Sequence, residues 1–424
     1  NAVTLELLPS ELYFSRGTWK NAHSSRITID STTVSIDSLV LRNGIQHVAL
    51  QGSISKDPTV ALAFDVEAVD LVDLEYLFNG PKLKGTIGGD GRIFDMYGST
   101  YFMSYLCGDS LKVDDRPVGD IRFAATWSEG QSDLNLAGTL NRDAVKALDF
   151  TGHMGIKDGG EFDMLLILDR FDMTLIEPYM PEGLSDVGGF VSGNVALTGT
   201  PADPKFNGEV MLTNAGIRID YLNTRYTFSS KVGIAPDMFT MDLATLEDEE
   251  GHQGLVSATV IHERFAHFNY DIFGSMNEML VMNTTVADNP VYYGRGVATG
   301  DLEVSGSRGL LEINVDVTTG PGTSVHFPVG GSTEVSPIGF VRFNTLDSTL
   351  SEPAVDLLGV SLNMNVNVTP DARFELIFDP TVGDIMSGRG RGAMEMGVTP
   401  AGEFSMAGQV EVTEGDYLFT LKNL

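Results

Sequence analysis

The sequence predicts an all-β protein whose strands curl into an elongated open trough, with few and short helices. Three observations carry this. Apolar and polar residues alternate along most of the chain, clusters of Gly, Pro, Asn and Asp recur about every 10–15 residues, and helical periodicity is nearly absent. Alternation at period two puts successive side chains on opposite faces of a strand, so each strand has an oily face and a wetter one.

Taken in order, the first such sets are Leu62, Phe64 and Val66, then Phe162, Met164, Leu166 and Leu168. Leu311, Ile313, Val315 and Val317 alternate with Glu312, Asn314 and Asp316. Leu362, Met364, Val366 and Val368 alternate with Asn363, Asn365 and Asn367. Phe374, Leu376 and Phe378 interleave with Glu375 and Ile377, and Tyr417, Phe419 and Leu421 close the series. Turns are expected at Asn43-Gly44, Lys56-Asp57-Pro58, Asp158-Gly159-Gly160, Asn214-Ala215-Gly216 and Thr399-Pro400-Ala401-Gly402. Short helices are expected at Leu71–Phe78, Arg142–Ala147 and Leu175–Met180.

A repeat of about 100 residues marks the first half. Val48-Ala49-Leu50-Gln51-Gly52 is echoed by Leu148-Asp149-Phe150-Thr151-Gly152, and Val69-Asp70-Leu71 by Phe171-Asp172-Met173. The chain divides into an N-terminal repeat region over 1–180, a middle β region over 181–285 and a C-terminal β region over 286–424, all in one continuous sheet. Repetition of one unit implies stacked, quasi-linear growth.

Composition narrows the function. A chain of 424 residues exceeds a single compact core, which stops growing near roughly 250–300 residues. The net charge of −31 repels phosphate backbones and excludes nucleic acid as a partner. Cys107 is the only cysteine, so no intrachain disulfide forms. No run approaches the roughly 18 apolar residues of a membrane-spanning helix. The sequence opens at Asn1 without a signal-like segment, which reads as a mature product or a piece of a longer protein, any anchor lying outside it.

So many one-faced strands without helices must hide their oily faces. They can pair into sandwiches or barrels, close into a solenoid, or curl into a trough with a greasy inner wall. Strands of uneven length and faces mixing Met, Phe, Leu and Val favour the trough, as do 17 methionines, which adapt to irregular partners. The four groups named above, with Phe374, Leu376 and Phe378, are the candidate groove-lining residues.

No catalytic or metal constellation is legible, and no cofactor is expected. Gly388-Arg389-Gly390-Arg391-Gly392 precedes Met394, Met396 and Val398 in strand alternation, so it reads as a turn rather than a phosphate loop. His262 and His267 are five apart in strand-like sequence and face opposite sides, which excludes a zinc-protease helix. Gly88-Gly89-Asp90-Gly91 reads as a turn, and Asp248-Glu249-Glu250 as a solvated one. With 2 Trp in the chain, a carbohydrate-binding adhesin lacks its aromatic platforms.

The C-terminal run Phe378-Asp379-Pro380-Thr381-Val382-Gly383-Asp384-Ile385, then Gly388-Arg389-Gly390-Arg391-Gly392, Gly402-Glu403-Phe404-Ser405-Met406-Ala407-Gly408 and Gly415-Asp416-Tyr417-Leu418-Phe419-Thr420-Leu421, resembles the TamB family of AsmA-like bridge proteins. Leu8-Pro9-Ser10, Gly17-Thr18-Trp19, Asn223-Thr224-Arg225-Tyr226 and Asp288-Asn289-Pro290-Val291-Tyr292-Tyr293-Gly294 look like Bacteroidetes-type members. The resemblance implies a β-taco, or open β-solenoid-like trough, that lies in the periplasm and carries phospholipid between inner and outer membranes. It also implies an inner-membrane anchor, absent from this chain, and a TamA-like outer-membrane barrel as partner. The alternative it leaves open is an assembly factor for outer-membrane β-barrel proteins. The sequence departs from the family in lacking the N-terminal membrane helix and in stopping just after Leu421-Lys422-Asn423-Leu424, so the barrel-docking end is expected outside it.

Overall fold

The computed structural model describes residues 2–14, 17–55, 57, 59–73, 82–95, 100–128, 130, 133–142, 145–155, 160–289, 292–307, 310–328, 359–379 and 384–418. It is all-β, as the alternation predicts, and no α-helix occurs among the described residues. Two compact units divide the chain: residues 1–175, 191–210 and 234–236 form the first, and 176–190, 211–233 and 237–424 the second.

Unit 1 begins with β1 (Val3–Leu7), β2 (Ser10–Phe14), β3 (Gly17–Asn21) and β4 (Ser25–Ile29). It continues through β5 (Val34–Asn43), β6 (Gln46–Ile54), β7 (Ala61–Asp70), β8 (Leu83–Phe94) and β9 (Tyr101–Val113). Then come β10 (Arg116–Ser128), β11 (Asp133–Arg142), β12 (Val145–Gly155) and β13 (Phe162–Asp172). From β5 to β13 each strand runs antiparallel to the next. Register lines up one face across the meander: Leu50 opposes Phe64, Phe64 opposes Gly91, and further along Leu136 opposes Gly152 and Gly152 opposes Met164.

The two echoed segments take matching places. Gly52 and Gly152 lie in the first strands of the hairpins β6–β7 and β12–β13, both at positive φ (110° and 153°). A Cβ there would stand 2.1 Å from the carbonyl of Ala61 or of Asp163, so only glycine fits. Each second strand ends in a 3₁₀ turn, Leu71–Asp73 or Met173–Leu175, whose leading apolar residue is buried.

Three sequence expectations need correcting. Arg142 and Val145–Ala147 belong to strands β11 and β12 rather than a helix, with 143 and 144 outside the described residues. Leu175–Met180 is no α-helix but the end of one 3₁₀ turn and another at Glu177–Tyr179, and of Leu71–Phe78 the part after Asp73 lies outside the described residues. Gly88–Gly91 sits inside β8: the Phe64 ring fills the space a Cβ on Gly91 would need, 2.3 Å away. These glycines admit a neighbour, not a reversal.

The middle strands are β14 (Leu184–Thr200), β15 (Asp203–Ile219) and β16 (Thr224–Ala235), whose residues are divided between the units. Asn214-Ala215-Gly216 lies within β15, so it is not a turn; Asn214 takes φ 49° and its N–H donates to Ser229 Oγ at 2.9 Å. Unit 2 continues with β17 (Met238–Glu247), β18 (Gln253–Glu263), β19 (Ala266–Thr284), β20 (Tyr293–Ser307), β21 (Leu310–Thr319) and β22 (Ser324–Pro328). It ends with β23 (Val360–Val368), β24 (Arg373–Asp379), β25 (Asp384–Val398) and β26 (Phe404–Leu418).

The long strands β20 and β25 run unbroken, while the two columns between them are each cut in half. β20 pairs antiparallel with β21 and, at its start, with β22. β21 and β22 pair in parallel with β23 and β24, and these pair antiparallel with β25. The cuts fall side by side, at Gly320–Thr323 and Thr369–Ala372, where Pro321 and Pro370 remove backbone donors. Side chains replace the lost ladder bonds. Val297, buried opposite the first cut, donates its N–H to Thr323 Oγ1 at 3.0 Å, and Thr323 Oγ1 donates back to Val297 O at 3.0 Å. Thr369 N–H donates to Thr319 Oγ1 at 2.9 Å, and its hydroxyl to Thr319 O at 3.0 Å. Thr323→Val leaves the buried Val297 N–H unpaired and should cost about 1–3 kcal/mol, read as a lower urea midpoint with an unchanged slope.

Gly388–Gly392 is likewise strand interior and not the expected turn. A Cβ on Gly392 would stand 2.0 Å from Gln409 O of β26, and one on Gly388 would stand 3.2 Å from the Phe374 ring. The intervening arginines point the other way: Arg389 Nη1 reaches the carbonyls of Pro370 and Asp371 at 3.5 and 3.4 Å, and Arg391 Nε meets Glu411 at 3.2 Å.

Candidate functional site

Unit 2 holds a partly open cavity of about 860 Å³. Its wall is built by register. Val256 of β18 opposes Gly274, then the row runs through Leu302, Val315, Met364, Met396 and Met406 on successive strands. In the adjacent row Met276, Val317, Val366 and Met394 share places with Gly300 and Gly408. Both rows line the cavity, apart from Gly300.

The opposite face is wet. Asn363 Nδ2 donates to Asn314 Oδ1 at 3.0 Å, and Asn365 Nδ2 to Asp316 Oδ1 at 2.6 Å, with Asn367 Nδ2 3.5 Å from Thr318 Oγ1. This amide ladder matches the parallel register of β21 and β23, and a slip by one residue would turn the oily face of the slipped strand outward.

Of the predicted groove residues, Val315, Val317, Met364, Val366, Val368, Phe374 and Leu376 line the cavity. Leu311, Ile313 and Leu362 lie farther along the same faces of β21 and β23. Phe378 is exposed and packs edge-on to Tyr417, ring centroids 6.3 Å apart. Leu62, Phe64, Val66, Phe162, Met164, Leu166 and Leu168 belong to unit 1 and do not line this cavity. Among all these residues Met164 and Val368 are buried and Phe378 is exposed; the rest are half-buried. A packed core would bury nearly all of them.

Sequence reasoning missed most of the methionines. Nine of the protein's 17 line the cavity, among them Met276, Met394, Met396 and Met406. Met394 and Met396 sit in visible alternation, but only register joins them to Met364 and Met406.

Part of the cavity wall, by contrast, is buried and tightly tied. Met279, Leu280, Val297 and Ala298 are buried there. β19 here outruns β18, so Leu280 has no strand partner on that side. Asp248 Oδ2 accepts the Leu280 N–H at 2.7 Å, and Tyr226 OH donates to Leu280 O at 2.9 Å. Asp248 Oδ1 accepts the N–H groups of Glu250 and His252, each at 2.9 Å. Asp248 is therefore a buried tie and not the solvated turn residue expected. Burial pushes its carboxyl up, but these three donors, with His252 nearby, outweigh it and hold the group below its ordinary value. Burial raises the Tyr226 hydroxyl to about 12, and that of Tyr292, which lies 3.0 Å from the Tyr221 hydroxyl, is raised too.

His262 is buried against Phe265 and burial lowers its pKa, while His267 is exposed. Among the described residues no group of three or more His, Cys, Asp or Glu could hold a metal ion, and no helix is long and apolar enough to cross a membrane.

Residues 244–424, which supply most of this wall, match the family model of the TamB C-terminal domain. No curated protein and no solved structure matches the chain.

Proposed function

We propose, for a chain that belongs to the TamB family, that its apolar groove conducts phospholipids between the inner and outer membranes and so supports outer-membrane biogenesis. The family implies a role in transport and assembly at the outer membrane rather than catalysis. The observation that carries the finer reading is the half-buried inner wall, an apolar surface crossing from β18 to β26 that lines the cavity.

Energetics gives that wall a purpose. Exposing an acyl chain to water costs about 0.8 kcal/mol per CH2, so a chain of roughly sixteen carbons faces on the order of 12 kcal/mol. An apolar groove with a wet outer face removes most of that barrier while the headgroup stays in water. On this reading the protein works in the periplasm, and its partners are phospholipid, the inner membrane by way of an anchor, and a TamA-like outer-membrane barrel.

Photo-crosslinking probes at Val315 and Met364 test the conduit, with a probe at the outward Gln409 as control. Lipid adducts from the first two positions and none from the third are the expected result. Adducts to protein alone at Val315 and Met364 would sink it.

A second reading, an assembly factor for outer-membrane barrel proteins, draws on β26. That strand pairs only with β25 among the described residues, so its other edge offers backbone groups to an added strand. Adducts to outer-membrane proteins from that edge, without lipid adducts from the wall, would favour it.

A further inference from the structure

Lipid passage alone does not need sulfur. Leucine and valine are as oily as methionine and hold their shape better, yet the thioethers gather in the wall. Met364 opposes Met396 across β23 and β25, and Met396 opposes Met406 across β25 and β26, so three side chains stand in one transverse row. Met394 stands in the row beside them. Met406 is 40% exposed, Met364 and Met396 are half-buried, and Met279 in the tied part of the wall is 0% exposed.

We infer that this row is a site of reversible oxidation by peroxides, and that oxidation there releases apolar ligands from the groove. The second half rests on the lipid reading above; the first does not. The reaction balances with hydrogen peroxide as oxidant. A methionine sulfur attacks one peroxide oxygen, the S–O bond forms as the O–O bond breaks, and proton transfer lets the other oxygen leave as water. The sulfur gives up two electrons and the peroxide takes them, yielding a sulfoxide.

The consequence follows from the neighbours. The rest of the row is Val315, Leu302, Gly274 and Val256, whose side chains carry no N–H or O–H. Three sulfoxide oxygens there find no side-chain donor in their own row and draw water into the groove. A single unpaired polar group in apolar surroundings already weakens binding by about tenfold. Sulfoxide reductases reverse the change, one for each sulfur configuration.

The test treats the full chain with graded hydrogen peroxide and reads each methionine by peptide mass spectrometry. Binding of pyrene-labelled phosphatidylethanolamine is measured in parallel. Met406 should oxidise first, Met364 and Met396 next and Met279 last, and probe affinity should fall about tenfold or more, returning after sulfoxide reductase treatment. In a variant with Met364→Leu, Met396→Leu and Met406→Leu, which conserves volume, probe affinity before and after peroxide should agree, whatever its starting value. Oxidation of the row no faster than of Met279 would overturn the site. Oxidised wild type that keeps its probe, or a leucine variant that loses it equally, would overturn the consequence. If untreated protein takes no probe at all, the conduit fails and the second half of the inference falls with it, while the order of oxidation still decides the first.

Discussion

Aspartate at both Val315 and Met364 should strip lipid from the purified protein while leaving it folded. Both side chains line the cavity in one row and oppose each other across the parallel pair β21 and β23. A carboxylate accepts hydrogen bonds and donates none, and the row has nothing to offer it. Each substitution should weaken acyl-chain binding by about tenfold or more, and two neighbours in one path more than either alone. The fold should survive because both residues are only half-buried, so each carboxylate keeps access to water in the open groove. Co-purified phospholipid, measured by mass spectrometry, and circular dichroism are the paired readouts. Gln409→Asp, on the outer face, should change neither. Equal lipid in the double variant and the wild type would mean that lipid travels elsewhere.

The largest loss of stability is expected from Asp248→Ala. The carboxylate accepts three backbone N–H groups, and that of Leu280 is buried with no strand partner on that side. An unsatisfied buried donor costs about 1–3 kcal/mol, and losing the other two contacts loosens the turn as well, so a total of about 3 kcal/mol is reasonable. The same site sets a pH dependence. Burial acts to raise this carboxyl and the donors act to lower it; the donors win, so the folded value lies below the unfolded one. A depressed carboxyl contributes stability that is fully present above its unfolded value of about 3.9 and is lost as pH falls through the folded value. Urea unfolding from pH 7 to pH 3 should therefore show a gap between wild type and Asp248→Ala that narrows only below about pH 4. A gap of constant width across that range would show that the carboxylate charge plays no part.

Local features of the fold were legible because they repeat at short range. Alternation in 311–317 and 361–368 fixes which residues share a face, and both segments form strands with those faces. Glycine was the ambiguous residue. At Asn43-Gly44 and Thr399–Gly402 it marks real reversals, yet Gly88–Gly91 and Gly388–Gly392 run straight through strands because a ring or a backbone passes close by. Composition cannot tell these apart, since the deciding atom belongs to another strand. Asp248 was misread for the same reason: its burial depends on Leu280 of β19, well downstream. The methionine row has one member on each of three strands, so it becomes visible only once register is known.

The parallel seam between β21 and β23 sets an order of events during folding. β17 to β21 are neighbours in sequence and can zip as successive hairpins, and so can β25 with β26. Joining the two sets requires contacts between residues 49 apart, as from Asn314 to Asn363. The entropy of closing that loop is spent before any pairing repays it, and parallel ladders repay slightly less per residue. The seam is therefore expected to form last and to exchange its amide hydrogens first. A nascent chain would present two separate oily half-walls to its surroundings until this join is made.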